Sequence, residues 1–323
     1  MSYVPIIDLS SRNNPAARTT LAHAIGQACE SSGFFVIVGH GVPADLVESM
    51  YTVTNAFFKL PEADKDLVLN RPGVSGFRRF GGTTAQSLDL ESPPDLCEAF
   101  SAHVTGELSD QERSELGDYW ATWKLANIWP EYPAGFESTW TEYMTAMTEL
   151  AADLMRLSAL ALGQDEQYFD GGFDAHVSSL VANYYYPQVE PPLPGQLRRG
   201  AHTDFGGLTV LYQEDDLGGL QVLQGDDWRD VQAIPGSFVV NIGDLMALWT
   251  GGRWVSTMHR VANPDRQQTS SRLSVPFFYQ PNHDALVVPL PSIDGRSGPS
   301  VVAGEWMAAK LAKMFANPAG TRS

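Results

Sequence analysis

Three short stretches of the chain carry the residue types of a metal site and its co-reactant. They are His202-Thr203-Asp204, His259 at 55 residues beyond the aspartate, and Arg272-Leu273-Ser274. Two imidazoles and one carboxylate form the ligand set that holds a non-haem Fe(II) and leaves positions open for dioxygen and an organic co-substrate. Residues i and i+2 of a β-strand point to the same side, so a strand through His202 would aim both donor groups of His-x-Asp at one point. Arg272 and Ser274 share that parity. A guanidinium fork beside a hydroxyl is a carboxylate receptor, and the dicarboxylate 2-oxoglutarate needs one for its far end. Buried near a metal, an unpaired guanidinium is costly, so an arginine there implies an anionic guest. A lone His-x-Asp is also a common polar turn. Here Gly206-Gly207 follows at once and Leu208 to Tyr212 reads as a half-buried strand, which gives the pair an element to sit on.

The runs HTDFGGLTVLYQEDDLGGLQVLQGDDW, PGSFVVNIGDLMALWTGGRWVSTMHRV and RLSVPFFYQP resemble the core of the isopenicillin N synthase-like family of Fe(II)- and 2-oxoglutarate-dependent oxygenases. Upstream, GFFVIVGHGVP from Gly33 to Pro43 and Phe57-Phe58-Lys59-Leu60-Pro61 extend the resemblance nearly end to end. It implies His202, Asp204 and His259 as metal ligands and catalytic centre, Fe(II) as the metal, and 2-oxoglutarate and dioxygen as co-substrates. It implies Arg272 and Ser274 as the grip on 2-oxoglutarate. Tyr186, just before Pro187, resembles the family tyrosine that adds a hydroxyl to that grip, and Tyr184 shares its face if the strand is regular. The family more often has Asn-Tyr-Tyr-Pro where this chain has Asn183-Tyr184-Tyr185-Tyr186-Pro187, so the register of the segment and the place of Asn183 stay open.

The elements that must position these groups follow from periodicity. Apolar residues recur at helical spacing from Pro15 to Ser31 and from Ala44 to Phe58, on either side of a short strand, Phe34 to Val38. Ser109 to Leu125 and Thr139 to Leu162 read as further helices, the second with Tyr143, Met147, Leu150, Leu154, Leu157 and Ala161 on one core-facing stripe. From Leu180 onward, β-rich runs alternate with Gly and Pro turns: Leu220 to Leu223, Trp228 to Val231, Ser237 to Asn241, Ser256 to Ala262, Arg272 to Tyr279 and Ala285 to Val288. The expected fold is mixed α and β, a double-stranded β-helix (jelly roll) core with flanking helices. Residues 1–175 would form a helical and partly β region packed on the core. Residues 176–323 would form the jelly-roll catalytic core with a closing helix, Ala303 to Phe315, the whole making one compact unit.

Composition narrows the function classes. With 323 residues, 43% of them hydrophobic, the chain can bury a large core. A net charge of -17 argues against a nucleic-acid partner, because phosphate binding needs a basic surface. No apolar stretch approaches membrane-spanning length, and the N-terminus lacks a basic region followed by an apolar one, so a cytoplasmic location without a membrane partner is expected. Cys29 and Cys97 form no Cys-x-x-Cys pair and read as buried thiols. There is no Gly-x-Gly-x-x-Gly or Walker fingerprint and no Gly-x-Ser-x-Gly elbow, which removes nucleotide-binding and simple hydrolase readings. His40 in Gly-His-Gly lacks a carboxylate partner at ligand spacing and reads as structural, and Asn241 and Asp244 read as turn residues.

A small-molecule substrate is expected, and its pocket residues must come from the barrel mouth and covering loops. The candidates are Phe77, Arg78, Arg79 and Phe80, then Phe205, Met246, Trp249 and Phe277, with the two arginines suited either to an anionic or hydroxylated substrate or to solvent. The resemblance implies an oxygenase that releases succinate and CO2 while it hydroxylates, desaturates or cyclises the substrate. An iron oxidase without 2-oxoglutarate, in which Arg272 and Ser274 grip the substrate itself, and a jelly-roll binding protein without chemistry are the alternatives. Oligomeric state leaves no trace in the sequence.

Overall fold

The computed structural model describes residues 3–71, 73–82, 93–104, 109, 111, 114, 125–214, 217–264, 270–291 and 298–316, the last six by backbone alone. The helix expected from Ser109 to Leu125 lies almost wholly outside the described residues. The strands are β1 (Ile6–Asp8), β2 (Phe34–Val38), β3 (Val74–Ser75), β4 (Phe77–Arg78), β5 (Glu98–His103), β6 (Ala126–Asn127), β7 (Ser179–Tyr185) and β8 (Arg199–His202). They continue with β9 (Leu208–Gln213), β10 (Leu220–Gln224), β11 (Asp227–Asp230), β12 (Phe238–Ile242), β13 (His259–Val261), β14 (Arg272–Tyr279), β15 (Leu286–Val287) and β16 (Val301–Val302). The helices are α1 (Pro15–Ser31), α2 (Ala44–Phe58), α3 (Glu62–Lys65), α4 (Phe136–Ala161), α5 (Asp244–Trp249) and α6 (Ala303–Ala316).

Helix α1 begins where its sequence says it must. The Asn14 side chain accepts the Ala16 N–H at 3.0 Å, Pro15 takes the first helical position, and Leu21, Ile25 and Cys29 repeat every four residues on the buried face. Helix α4 buries Tyr143, Met147, Leu150, Leu154 and Leu157 as one stripe, with Ala161 partly covered at its end. It starts three residues before the expected position, with Gly135 supplying a left-handed turn at its N-terminus. Cys29 and Cys97 are both buried and are not joined in a disulfide.

An eight-stranded sheet runs β1-β2-β12-β9-β14-β7-β5-β4, and a four-stranded sheet runs β11-β10-β13-β8. Because side chains alternate along each strand, the large sheet has two separately used faces. One carries Phe35, Val240, Val210, Val275, Ala182 and Phe100 into the core formed with α1, α2 and α4. The other turns Phe34, Val36 and Val239 onto Leu220 and Val222 of the small sheet, and Cys97 and Tyr185 onto Val261. The two sheets therefore face each other as a jelly-roll sandwich, with helices outside. The sheet crosses the boundary expected near residue 175, since β2 pairs with β12 and β5 pairs with β7.

Candidate active site

The edge of the small sheet brings two of the three expected metal ligands together. His202 ends β8, His259 opens β13, and the antiparallel register sets them directly opposite one another. Their ring centroids are 4.3 Å apart. The Nε2 atoms of His202 and His259 lie 3.9 and 3.8 Å from Oδ1 of Asp204, so one oxygen faces both imidazoles. Among the described residues this is the group of His, Cys, Asp and Glu whose donor atoms, all within 4.8 Å of one another, could hold a metal ion.

Each of the three groups is aimed by a hydrogen bond on its far side. The Nδ1 of His202 lies 2.8 Å from the Gly200 carbonyl, and that of His259 lies 3.1 Å from the Thr257 carbonyl. A carbonyl only accepts, so both Nδ1 atoms carry the proton and both Nε2 lone pairs point inward. Thr209 Oγ1 and Asn241 Nδ2 each donate to Oδ2 of Asp204 over 2.7 Å, which leaves Oδ1 for the metal. Burial, the neighbouring His259 and Arg199 push the His202 imidazole down to about 3. Burial by itself would raise Asp204, but the two imidazoles and the hydrogen bonds from Asn241 and Thr209 hold its carboxyl below the usual range. A neutral imidazole pair and an ionised carboxylate are the protonation states in which this donor set binds a divalent cation.

Two expectations about these ligands change in the structure. The strand ends at His202, so Asp204 is not carried on the same strand face. It sits in the turn that follows, whose backbone docks on the start of α5: Asp244 N–H donates to the Asp204 carbonyl over 2.7 Å and Leu245 N–H to that of Phe205 over 3.1 Å. A Cβ at Gly243 would come within 2.3 Å of the Gly206 carbonyl oxygen, so this packing requires glycine there. Asn241, expected in a turn, is a buried strand residue that orients Asp204. Thr209 performs the same task from β9. Both escape a sequence reading because they meet the aspartate only across the sheet. His40 is structural: Val42 N–H donates to its Nδ1 over 3.2 Å, and its Nε2 donates to the Gly236 carbonyl over 3.1 Å.

Arg272 is fully buried on β14, with its Nε donating to the Gly218 carbonyl over 2.8 Å. Neither Nη1 nor Nη2 meets a hydrogen-bonding partner. The register places Tyr185 opposite Arg272 and Asn183 opposite Ser274, all on the face that looks toward the metal triad. The Arg272 guanidinium carbon lies 5.4 Å from the Tyr185 ring centre, and Ser274 shares their face two residues along β14. Burial, then the Cys97 thiol, raises Tyr185 to about 12, so it stays a neutral donor. A buried guanidinium with two open donors, a phenol and a hydroxyl together fit a carboxylate.

Tyr186 and Tyr184, expected at this grip, point the other way. The Tyr186 hydroxyl lies 2.8 Å from Glu98 Oε2 and 3.0 Å from Lys65 Nζ, and Tyr184 stacks on Phe58 at 5.0 Å in the helix-side core. With the extra tyrosine before Pro187, it is Tyr185 that lies opposite Arg272, since one residue on a strand reverses the face.

The substrate candidates also divide. Phe77, Phe277, Met246 and Trp249 are buried in the helix-side core, where each contributes roughly 1.5–3 kcal/mol of burial rather than a pocket wall. Phe205 packs beside Val177 and Met307. Arg79 is half exposed and makes a fork to Asp66, with distances of 2.9 and 2.6 Å. Arg78 alone among these turns between the sheets.

Two family models match the chain: the 2OG-Fe(II) oxygenase superfamily over residues 176–281, and the non-haem dioxygenase in morphine synthesis N-terminal region over residues 4–132. Homoarginine-6-hydroxylase 2-ODD-233 of Oryza sativa subsp. japonica is 32% identical over 97% of each chain. Validamycin A dioxygenase of Streptomyces hygroscopicus subsp. limoneus is 32% identical over 98% of this chain and 88% of its own length. The solved structure of a full-length Neurospora crassa protein in complex with alpha-KG and thymine superposes with a TM-score of 0.82 at 27% identity, covering 97% of each chain.

Proposed function

The chain belongs to the 2OG-Fe(II) oxygenase superfamily, and from that premise we propose that His202, Asp204 and His259 hold the iron while Arg272, Ser274 and Tyr185 hold 2-oxoglutarate. The protein is an Fe(II)- and 2-oxoglutarate-dependent oxygenase. Bound there, the iron supplies the chemistry that uses dioxygen to convert 2-oxoglutarate into succinate and CO2 and to oxidise a small-molecule substrate.

The chain's own residues do the positioning. Hydrogen bonds to Gly200 and Thr257 fix the two imidazoles as Nε2 donors, and Thr209 with Asn241 turns one carboxylate oxygen of Asp204 toward the metal position. The open guanidinium edge of Arg272 receives the far carboxylate of 2-oxoglutarate, with the Ser274 and Tyr185 hydroxyls completing its hydrogen bonds. Phe34 sets its ring edge-on against His259, with the ring centres 5.3 Å apart. Among the described residues no helix is long and apolar enough to cross a membrane.

The observation that carries this assignment is the convergence of three inward-facing donor atoms from β8, the following turn and β13. Its test is anaerobic titration of Fe(II)-loaded protein with 2-oxoglutarate. A metal-to-ligand charge-transfer band is expected in the wild type and is expected to vanish in Asp204→Ala. A full band in that variant would remove Asp204 from the metal site.

A further inference from the structure

Between the two sheets lies a second polar cluster that neither the metal nor the 2-oxoglutarate assignment uses. Arg78 on β4 stands opposite Ala99 of β5, on the face turned toward the small sheet, and its Nη2 donates to Ser101 Oγ over 2.9 Å. Arg199 at the start of β8 is near enough for its charge to be felt both at Arg78 and at Asp204. Three strand residues, roughly 10 Å, separate Arg199 from His202. The cluster and the metal position therefore share the space between the two sheets, with Arg199 standing between them along β8.

The neighbouring arginines differ in how their charge is met. Arg79 has Asp66, and Arg199 has Asp95 at 3.1 Å, whose other oxygen accepts the Gly200 N–H at 2.8 Å. Arg78 meets no carboxylate among the described residues, and its Nε is closed to solvent without a hydrogen-bonding partner. Nδ1 of His103, on the same face of β5, is closed and unpartnered in the same way. Burial, then Arg199, pushes Arg78 down to about 10, while burial, then Arg78, pushes His103 down to about 4. At neutral pH the guanidinium is charged and the imidazole is not. A partly buried cation that meets no carboxylate among the described residues favours an anionic guest, and an arginine edge matches a carboxylate.

We propose that Arg78, with His103 beside it, anchors a carboxylate on the small molecule that the enzyme oxidises. The proposal rests on the reading that Arg272 takes 2-oxoglutarate, which leaves Arg78 for a second anion. Substrates of this enzyme are accordingly carboxylic acids, and their amides or esters are poor ligands.

The test uses Mn(II)-loaded protein with saturating 2-oxoglutarate, so that the Arg272 site is filled. The probes are 3-phenylpropionate, indole-3-acetate and octanoate, each beside its primary amide, with binding followed by calorimetry. The wild type is expected to bind at least one acid about tenfold more tightly than its amide. Arg78→Met is expected to narrow that gap to less than about twofold, with Arg78→Lys between the two. Equal binding of acid and amide, no binding by any member of the series, or an acid preference surviving in Arg78→Met would each overturn the proposal. The comparison within the wild type needs no variant, so a poorly folding Arg78→Met leaves it decidable. The charge-transfer band of the Fe(II) protein with 2-oxoglutarate is recorded in parallel, and its absence in the wild type would count against the Arg272 assignment instead.

Discussion

Asn241 donates its side-chain amide to Oδ2 of Asp204 across 2.7 Å, and by occupying that oxygen it leaves the other to face both imidazoles. The two residues are 37 positions apart and come together because β12 and β9 are neighbours in the large sheet. Groups that orient a metal ligand typically affect metal affinity by 10- to 100-fold. Asn241→Ala is expected to weaken Fe(II) or Co(II) binding by about tenfold while Thr209 still holds the carboxylate, and the double variant with Thr209→Val to weaken it further. Titration with Co(II) reads this, and wild-type affinity in the double variant would show that the carboxylate needs no such support.

The metal ligands themselves carry an all-or-none expectation. His202→Ala, Asp204→Ala and His259→Ala are each expected to lose iron and turnover, with circular dichroism unchanged, because the hydrophobic core between sheet and helices does not involve them. Any one variant that keeps full succinate formation removes its residue from the triad.

Arg272→Leu separates the co-substrate from the metal. A charge-assisted hydrogen bond is worth about 1.5–3 kcal/mol, so the concentration of 2-oxoglutarate needed for half-maximal rate should rise by roughly 10- to 150-fold while iron still binds. Replacing a buried, half-partnered guanidinium with an apolar side chain should not lower the melting temperature of the ligand-free protein. An unchanged requirement for 2-oxoglutarate would refute the assignment.

The two adjacent tyrosines make a matched pair of variants. Tyr185→Phe should raise the 2-oxoglutarate requirement several-fold with little effect on stability. Tyr186→Phe should leave that requirement alone and lower stability, because its hydroxyl joins Lys65, Glu98 and the Phe58 carbonyl in a buried network. The reverse pattern would mean that the strand register differs from the one described.

His103 makes stability depend on pH in a defined direction. Its pKa is about 4 in the folded chain, pushed down by burial and then by Arg78, against an ordinary value of 6.5. Between those values the unfolded chain binds a proton that the folded chain refuses, so stability rises with pH through this window, is complete above it, and is lost as pH falls toward 4. One proton corresponds to at most about 1.4 kcal/mol per pH unit. Urea midpoints from pH 7 to pH 4 should therefore fall less steeply in His103→Gln than in the wild type. Parallel curves would place His103 in contact with water.

The chemistry was legible in the sequence because it depends on residue types and on local periodicity. His202, Asp204, His259, Arg272 and Ser274 stood out by identity and spacing, and the apolar repeats of α1, α2 and α4 and the run of β14 marked their elements from within themselves. What stayed hidden depends on which side of a strand a residue occupies and on what arrives across the sheet. One additional tyrosine before Pro187 decides whether Tyr185 or Tyr186 meets Arg272, and only pairing with β14 settles it, since a slip of one residue turns every side chain over. The same alternation sends Arg78 inward beside Ser101 and Arg79 outward to Asp66, and puts Phe77 and Phe277 into the helix-side core. Thr209 and Asn241 look like ordinary strand residues until the fold lays them against Asp204, because an orienting hydrogen bond between distant strands leaves no local pattern in the chain.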